Sequence, residues 1–156
     1  LDYSPHGNNN HFSPKMISSL KELLIKLKKK YKINKKNILA HSDVAPFRKK
    51  DPGKNFPWKS LTKSNILPSF QRLRINDIKI IEEWFHFYNL KSKKQKIILS
   101  LSLIGYDTRQ VFTNTRLYYK LIKAYKIRYI NNIGREKDSI YDILIIHLFN
   151  FMLTKN

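Results

Sequence analysis

The sequence predicts an α/β chain, helix-rich overall, that ends in a small all-α module. Three observations carry this expectation. A single short apolar run, Ile38-Leu39-Ala40, leads to His41 and a turn-rich loop, and reads as a short buried strand over Asn37 to His41. Helical periodicity fills most of the chain on either side of that loop. Between the two helical regions, residues 62–74 are polar and basic, contain Pro68 and show no sustained periodicity, as a linker does. The expected division is residues 1–61, a linker at 62–74 and a helical module at 75–156.

Taken in order, residues 1–12 are turn-rich, with Pro5, Gly7 and three consecutive asparagines, and read as a loop leaving an earlier element. Leu1 is not a methionine, and the expectation is that residues are missing before it. Ser13-Pro14 is a helix start, with serine as N-cap and proline at the first helical position. Met16, Leu20, Leu23, Leu24 and Leu27 then form one apolar face, and lysines crowd the last turns, where cations suit the helix dipole. This predicts a helix over Pro14–Tyr31. Pro46, Pro52, Gly53 and Pro57 exclude regular structure from residues 42–57, and Phe56-Pro57-Trp58 starts a short helical turn. Further helices are predicted over Asp77–Asn89, Lys93–Ile104 with Gly105 as the C-cap, a segment opened by Asp107-Thr108, and Ile140–Leu153 capped by Ser139, with a loop at 131–138.

With 31 basic and 11 acidic residues the formal net charge is +20, which suits an anionic partner. The excess is mainly lysine, spread through every segment and accompanied by isoleucine and asparagine, so a compositional bias accounts for it better than a dedicated nucleic-acid surface. The low share of arginine agrees, because phosphate and base readers favour the bidentate guanidinium. The chain has no cysteine, which excludes disulfides and thiolate metal sites and leaves the compartment open. No apolar run approaches the roughly 20 residues that span a bilayer.

The segment HSDVAPFRKKDPG, residues 41–53, joins chemistry to a rigid loop. A histidine at its start and a carboxylate ten residues on, at Asp51, are both side chains that bind metals. In order and spacing, His41, Ser42-Asp43, Ala45-Pro46, Arg48-Lys49 and Asp51-Pro52-Gly53 resemble the C-terminal signature of the type 2 N-acetylmuramoyl-L-alanine amidases, zinc hydrolases of the peptidoglycan recognition protein-like superfamily. The long helix before the motif and Phe56-Pro57-Trp58 after it resemble the AmiD-like subgroup, and the likeness covers about residues 1–61.

That resemblance implies the C-terminal part of a zinc amidase, a mixed sheet flanked by helices. It implies His41 and Asp51 as zinc ligands, Lys49 as a catalytic cation at the developing oxyanion, and Pro52-Gly53 as the fixture that turns Asp51 back toward His41. Arg48 reads either as a contact to the peptide carboxylate or as a solvated loop charge. The implied reaction is hydrolysis of the amide between N-acetylmuramic acid and L-alanine in peptidoglycan, with peptidoglycan or muropeptides as partners and the cell envelope or periplasm as location. The family's remaining zinc histidine and its catalytic glutamate fall before Leu1. His6, His11 and Asp2 do not match them, so the chain alone is expected to be impaired. In the helical module, Leu101–Asp107, Ala124-Tyr125 and residues 132–139 resemble more weakly a small peptidoglycan-binding module.

Blander roles stand beside these. Asp43 is chemically able to ligate, but the motif gives zinc to Asp51, and Asp43 reads as a loop hydrogen bond or cap. His86 and His147 sit in helical patterns and read as packing or surface residues. Trp84, Phe85, Tyr118, Tyr119 and Phe149 suit sugar stacking, yet at helical spacing they read as core. The rival functions are a non-catalytic peptidoglycan binder, which a retained Lys49 and Asp51 oppose, and a basic helical nucleic-acid binder, which only the charge favours.

Overall fold

The computed structural model describes residues 12–69, 75–130 and 139–153. The described residues form α1 (Pro14–Tyr31), a 3₁₀ turn (Lys35–Asn37), α2 (His41–Val44), α3 (Trp58–Lys63), α4 (Ile75–Phe87), α5 (Lys93–Leu103), α6 (Thr115–Tyr125) running into a π-helical turn (Lys126–Ile130), and α7 (Ile140–Leu153). The expected turn-rich opening at residues 1–11, with His6 and His11, lies outside the described residues. So do residues 70–74 of the expected linker and the loop at 131–138.

The predicted sheet is corrected: among the described residues there is no strand, and the chain is helical. Ile38 (φ −90°, ψ 102°) and Ala40 (φ −93°, ψ 164°) do have extended backbones. A strand needs a neighbour to take its N–H and C=O groups, and here side chains take them. The Ala40 amide donates to the Asp43 carboxylate at 2.7 Å, and the Ile38 carbonyl accepts from Arg128 at 2.7 Å. His41 therefore opens a one-turn helix instead of closing a strand.

The helix starts follow from the residues at them. Ser13 accepts the Met16 amide at 3.2 Å, with Pro14 at the first position of α1. Ser92 and Gln95 form a reciprocal capping box at α5, Asn114 accepts the Leu117 amide at α6, and Ser139 accepts the Asp142 amide at α7. The helix ends share a device. Lys32, Asn65, Asn89 and Gly105 take positive φ (51°, 58°, 53° and 107°), and the next amide reaches back five residues: Ile33 to Lys28, Ile66 to Leu61, Leu90 to Phe85 and Tyr106 to Leu101. This is the Schellman closure, in which an apolar residue after the left-handed position folds back onto the helix. It buries Ile66 and Tyr106. Gly105 lies one residue beyond the last residue of the predicted helix, after the C-cap Ile104.

Three apolar clusters hold the elements together. Ile17 of α1 packs with Ala40, Phe56, Trp58, Leu61, Ile66 and Leu67 around the loop that follows α2, so the first half of the expected linker is partly buried. Ile97, Ile98 and Leu101 of α5 meet Leu121 and Tyr125 of α6, Ile130, and Ile143 and Leu144 of α7, with Phe47 of the loop against them. Ile81 and Phe85 of α4 pack on Ile145 and Leu148 of α7, with Leu99 and Leu103 from the other side of α5. Apolar side chains on two sides of α5 and around α7 let each serve two clusters. Glu82 stitches this bundle, accepting from Lys96 at 2.5 Å and from the Tyr141 hydroxyl. Burial alone would raise the Glu82 carboxyl, but the Lys96 and Tyr141 hydrogen bonds outweigh it and hold it below its ordinary value.

Two predictions follow from these features. A Cβ at Gly105 would meet nothing within 4 Å, so Gly105→Ala is opposed only by its φ of +107°. It should lower stability by about 1–2 kcal/mol in urea unfolding. Burial, and secondarily the Arg128 charge, push the His147 imidazole down to about 3. The unfolded chain then binds a proton near pH 6.5 that the folded chain refuses until about pH 3, so His147 lowers stability as pH falls through that window. Between pH 6 and pH 4 it should remove on the order of 1 kcal/mol per pH unit. Urea midpoints of the wild type and His147→Phe, compared across that range, should converge as pH falls.

Candidate metal centre

The site is a loop closed on itself at both ends. His41 stands at the start of α2, and Asp51 lies ten residues on, past the turn at Pro46–Arg48. Their side chains meet, with His41 Nδ1 and Asp51 Oδ2 2.7 Å apart. Beside them the Ser42 amide donates to the Asp51 carbonyl at 3.2 Å, so backbone and side chains pin the same closure. Asp51-Pro52 is a cis peptide and Gly53 has φ +84°, a left-handed value that suits glycine at the turn out of the loop. His41 is two-thirds exposed and Asp51 about one-third, so both carry donor atoms open to solvent.

Arg48 and Lys49 lie between the paired residues and are exposed. Their amides both donate to the Ala45 carbonyl, at 3.0 and 2.9 Å. Among the described residues neither side chain is bonded to His41 or Asp51. The structure thus brings together His41 and Asp51, and leaves Lys49 and Arg48 exposed on the same loop.

Beneath the loop is a buried ionic cluster. Asp43, two residues after His41, is 6% exposed, and Arg128, in the π-helical turn after α6, is 5% exposed. Arg128 Nη1 donates to Asp43 Oδ2, and Nη2 donates to the Ile38 carbonyl at 2.7 Å. The Tyr106 hydroxyl donates to Asp43 Oδ1 at 2.9 Å, and the Ala40 amide completes the carboxylate's partners. Burial pushes the Tyr106 hydroxyl well above its ordinary value, so it remains a donor at any physiological pH. The guanidinium lies over the Trp58 ring, 4.3 Å from its centroid. Burial alone would lower Arg128, but Tyr129 and Asp43 raise it, and the cation is secure. Lys120 of α6 donates to the Phe47 carbonyl at 3.2 Å, a second tie between the loop and the helices.

Sequence reasoning placed Asp43 as a cap or loop hydrogen bond, and it does accept the Ala40 amide. Its partners Arg128 and Tyr106 were not found from sequence. The signals available were an arginine inside the otherwise apolar run Ile127–Ile130 and a tyrosine directly after a helix-ending glycine.

Among the described residues no group of three His, Cys, Asp or Glu side chains gathers to hold a metal ion. Imidazole nitrogen and carboxylate oxygen are a donor pair that zinc accepts. Two such donors on one tetrahedral zinc stand about 3.3 Å apart, given bonds near 2.0–2.1 Å. His41 and Asp51 therefore match zinc in donor type, while at 2.7 Å they are bonded to each other and stand closer than two ligands of one zinc.

Residues 4–54 match the family model for N-acetylmuramoyl-L-alanine amidase. The chain is 41% identical over 64 residues to N-acetylmuramoyl-L-alanine amidase AmiD of Escherichia coli strain K12, covering 40% of this chain and 23% of that protein. Solved structures share the fold. The Escherichia coli AmiD complex with anhydro-N-acetylmuramic acid-L-Ala-D-gamma-Glu-L-Lys superposes with a TM-score of 0.65 at 21% identity, over 93% of this chain and 53% of that one. AmpDh3 of Pseudomonas aeruginosa superposes with a TM-score of 0.68 at 21% identity, over 94% and 56%. The chain thus spans about a quarter of the matched relative and about half of each solved structure. No helix among the described residues is long and apolar enough to cross a membrane.

The buried pair yields a prediction. Arg128→Met leaves the Asp43 carboxylate buried without its cation and should cost about 3–5 kcal/mol. Asp43→Asn combined with Arg128→Met should be less destabilised than the sum of the single variants by at least about 1 kcal/mol. Denaturant unfolding of the three variants measures this coupling.

Proposed function

We propose that the chain provides the metal loop and helical module of a zinc-dependent N-acetylmuramoyl-L-alanine amidase. The reaction is hydrolysis of the amide between N-acetylmuramic acid and L-alanine in peptidoglycan or its fragments, and the place of action is the cell envelope. The observation that carries this reading is the His41–Asp51 pair, 2.7 Å apart across a loop whose sequence matches the amidase family.

In this reading His41 and Asp51 hold zinc. When bound, zinc acts as a Lewis acid and lowers the pKa of its water to about 7. The protein's own residues do the rest. Asp51 and the Ser42 amide fix the loop's closure, and Lys49 presents a cation where negative charge develops on the scissile carbonyl. Arg48 is exposed on the same loop and suits a stem-peptide carboxylate. Residues 75–156, reached through residues 62–74, form the peptidoglycan-binding-like module that follows the catalytic portion at 1–61. A catalytic zinc takes three protein ligands, and the described residues supply two. Turnover by this chain alone is therefore expected to be weak, and metal binding is the sharper test.

Zinc uptake by the purified chain, followed by equilibrium dialysis, should reach one equivalent. His41→Ala and Asp51→Ala should each weaken it at least tenfold. Equal uptake by the wild type and the double variant would overturn the assignment. Any release of L-alanine peptides from muropeptides should fall about 100-fold or more in Lys49→Ala, the scale on which a lost transition-state contact is felt.

A further inference from the structure

We infer that Arg128 and Tyr106 of the helical region are positioning residues for the metal loop, so that metal affinity at His41 and Asp51 is set from the far half of the chain. The inference rests on the zinc-site reading of those two residues. Its ground is the way Arg128 brackets His41. One guanidinium nitrogen holds the carbonyl of Ile38, three residues before His41, and the other holds the carboxylate of Asp43, two residues after it. Asp43 in turn fixes the Ala40 amide, directly preceding His41. Tyr106, delivered by the closure at Gly105, occupies the other carboxylate oxygen. The Ile38 carbonyl and the Ala40 amide on the approach to His41 thus lead, within two bonds, to Asp43 or Arg128, and the side chains that complete those anchors come from residues 63 and 85 positions away from Asp43.

Local forces do not hold the same geometry. α2 is a single turn of four residues, too short to be stable by itself. The residue before it, Ala40, has no side-chain cap to offer. The imidazole is exposed, and its local partner is Asp51 of the same loop, 2.7 Å from Nδ1. The Asp51 pair closes the loop, and Asp43 and Arg128 hold the backbone on which His41 stands. Groups that orient metal ligands without touching the metal commonly change affinity by 10- to 100-fold. Coupling is reciprocal, so zinc on the loop should also stabilise the helical core that holds Arg128.

The test uses the whole chain and zinc alone as the probe. Zinc affinity is measured by calorimetric titration, and the His41 ring resonances are followed by NMR during the same titration. Tyr106→Phe removes one hydroxyl and should weaken zinc binding about tenfold while the chain stays folded. Asp43→Asn combined with Arg128→Met, which leaves no uncompensated charge, should weaken it further and broaden the His41 resonances before zinc is added. Leu148→Ala, a core change in α4–α7 packing, should lower the melting temperature but leave zinc affinity within twofold. His41→Ala should abolish the binding. If His41→Ala abolishes binding while Tyr106→Phe and the double variant keep wild-type affinity, the positioning role is wrong and the metal site stands. If His41→Ala binds zinc as the wild type does, the metal-site reading itself fails. If Leu148→Ala weakens zinc binding as much as Tyr106→Phe at equal loss of stability, the effect is general loosening and the positioning role is also overturned.

Discussion

The buried ion pair between Asp43 and Arg128 is the constraint on which the rest of the structure turns. Removing two charges from water is costly, and a pair this deep persists only if each partner's remaining hydrogen-bonding capacity is met. Here it is. Asp43 is satisfied by Arg128, Tyr106 and the Ala40 amide, and Arg128 reaches the Ile38 carbonyl and the Trp58 face besides. These contacts join the apolar cluster around Trp58 to the one around Tyr125. An apolar pair of the same volume would serve cohesion as well. What an ion pair adds is direction, since only one arrangement of the loop puts both carboxylate oxygens on their donors.

Above that cluster the loop keeps its reactive groups in water. His41 and Asp51 are paired but accessible, and Arg48 and Lys49 are exposed. The division is physical. The exposed groups of the loop stay solvated, and the loop's rigidity comes from a dry layer below. The net charge of +20 is otherwise dispersed, with individual lysines put to local use. Lys28 reaches the Asn65 carbonyl at 3.3 Å, Lys96 pairs with Glu82 and Lys120 reaches the Phe47 carbonyl.

Much of this was legible in the sequence, for identifiable reasons. Ser13-Pro14 and Ser139 signal helix starts through short-range chemistry that needs no tertiary context. His41 and Asp51 were legible as a pair because their contact spans one loop whose prolines and glycine are written in the same segment. Arg128 was not legible as the partner of Asp43, because the two lie 85 residues apart and an arginine within an apolar run does not say what it meets. The expected strand failed for a related reason. The extended shape of Ile38 and Ala40 was correctly read, but whether a sheet forms depends on what takes the backbone hydrogen bonds. The takers are a carboxylate and a guanidinium, which apolar patterning does not reveal.

The long separation between Asp43 and Arg128 also orders events in time. A ribosome adds about 5–20 residues per second, so the 85 residues between the partners take about 4–17 s to make. During that interval His41 and Asp51 already exist, but the arginine that shapes their loop does not. The nascent loop then lacks the buried partner that ties it to the helical region. It becomes a defined site only when α6 and its π-helical turn have folded back upon it.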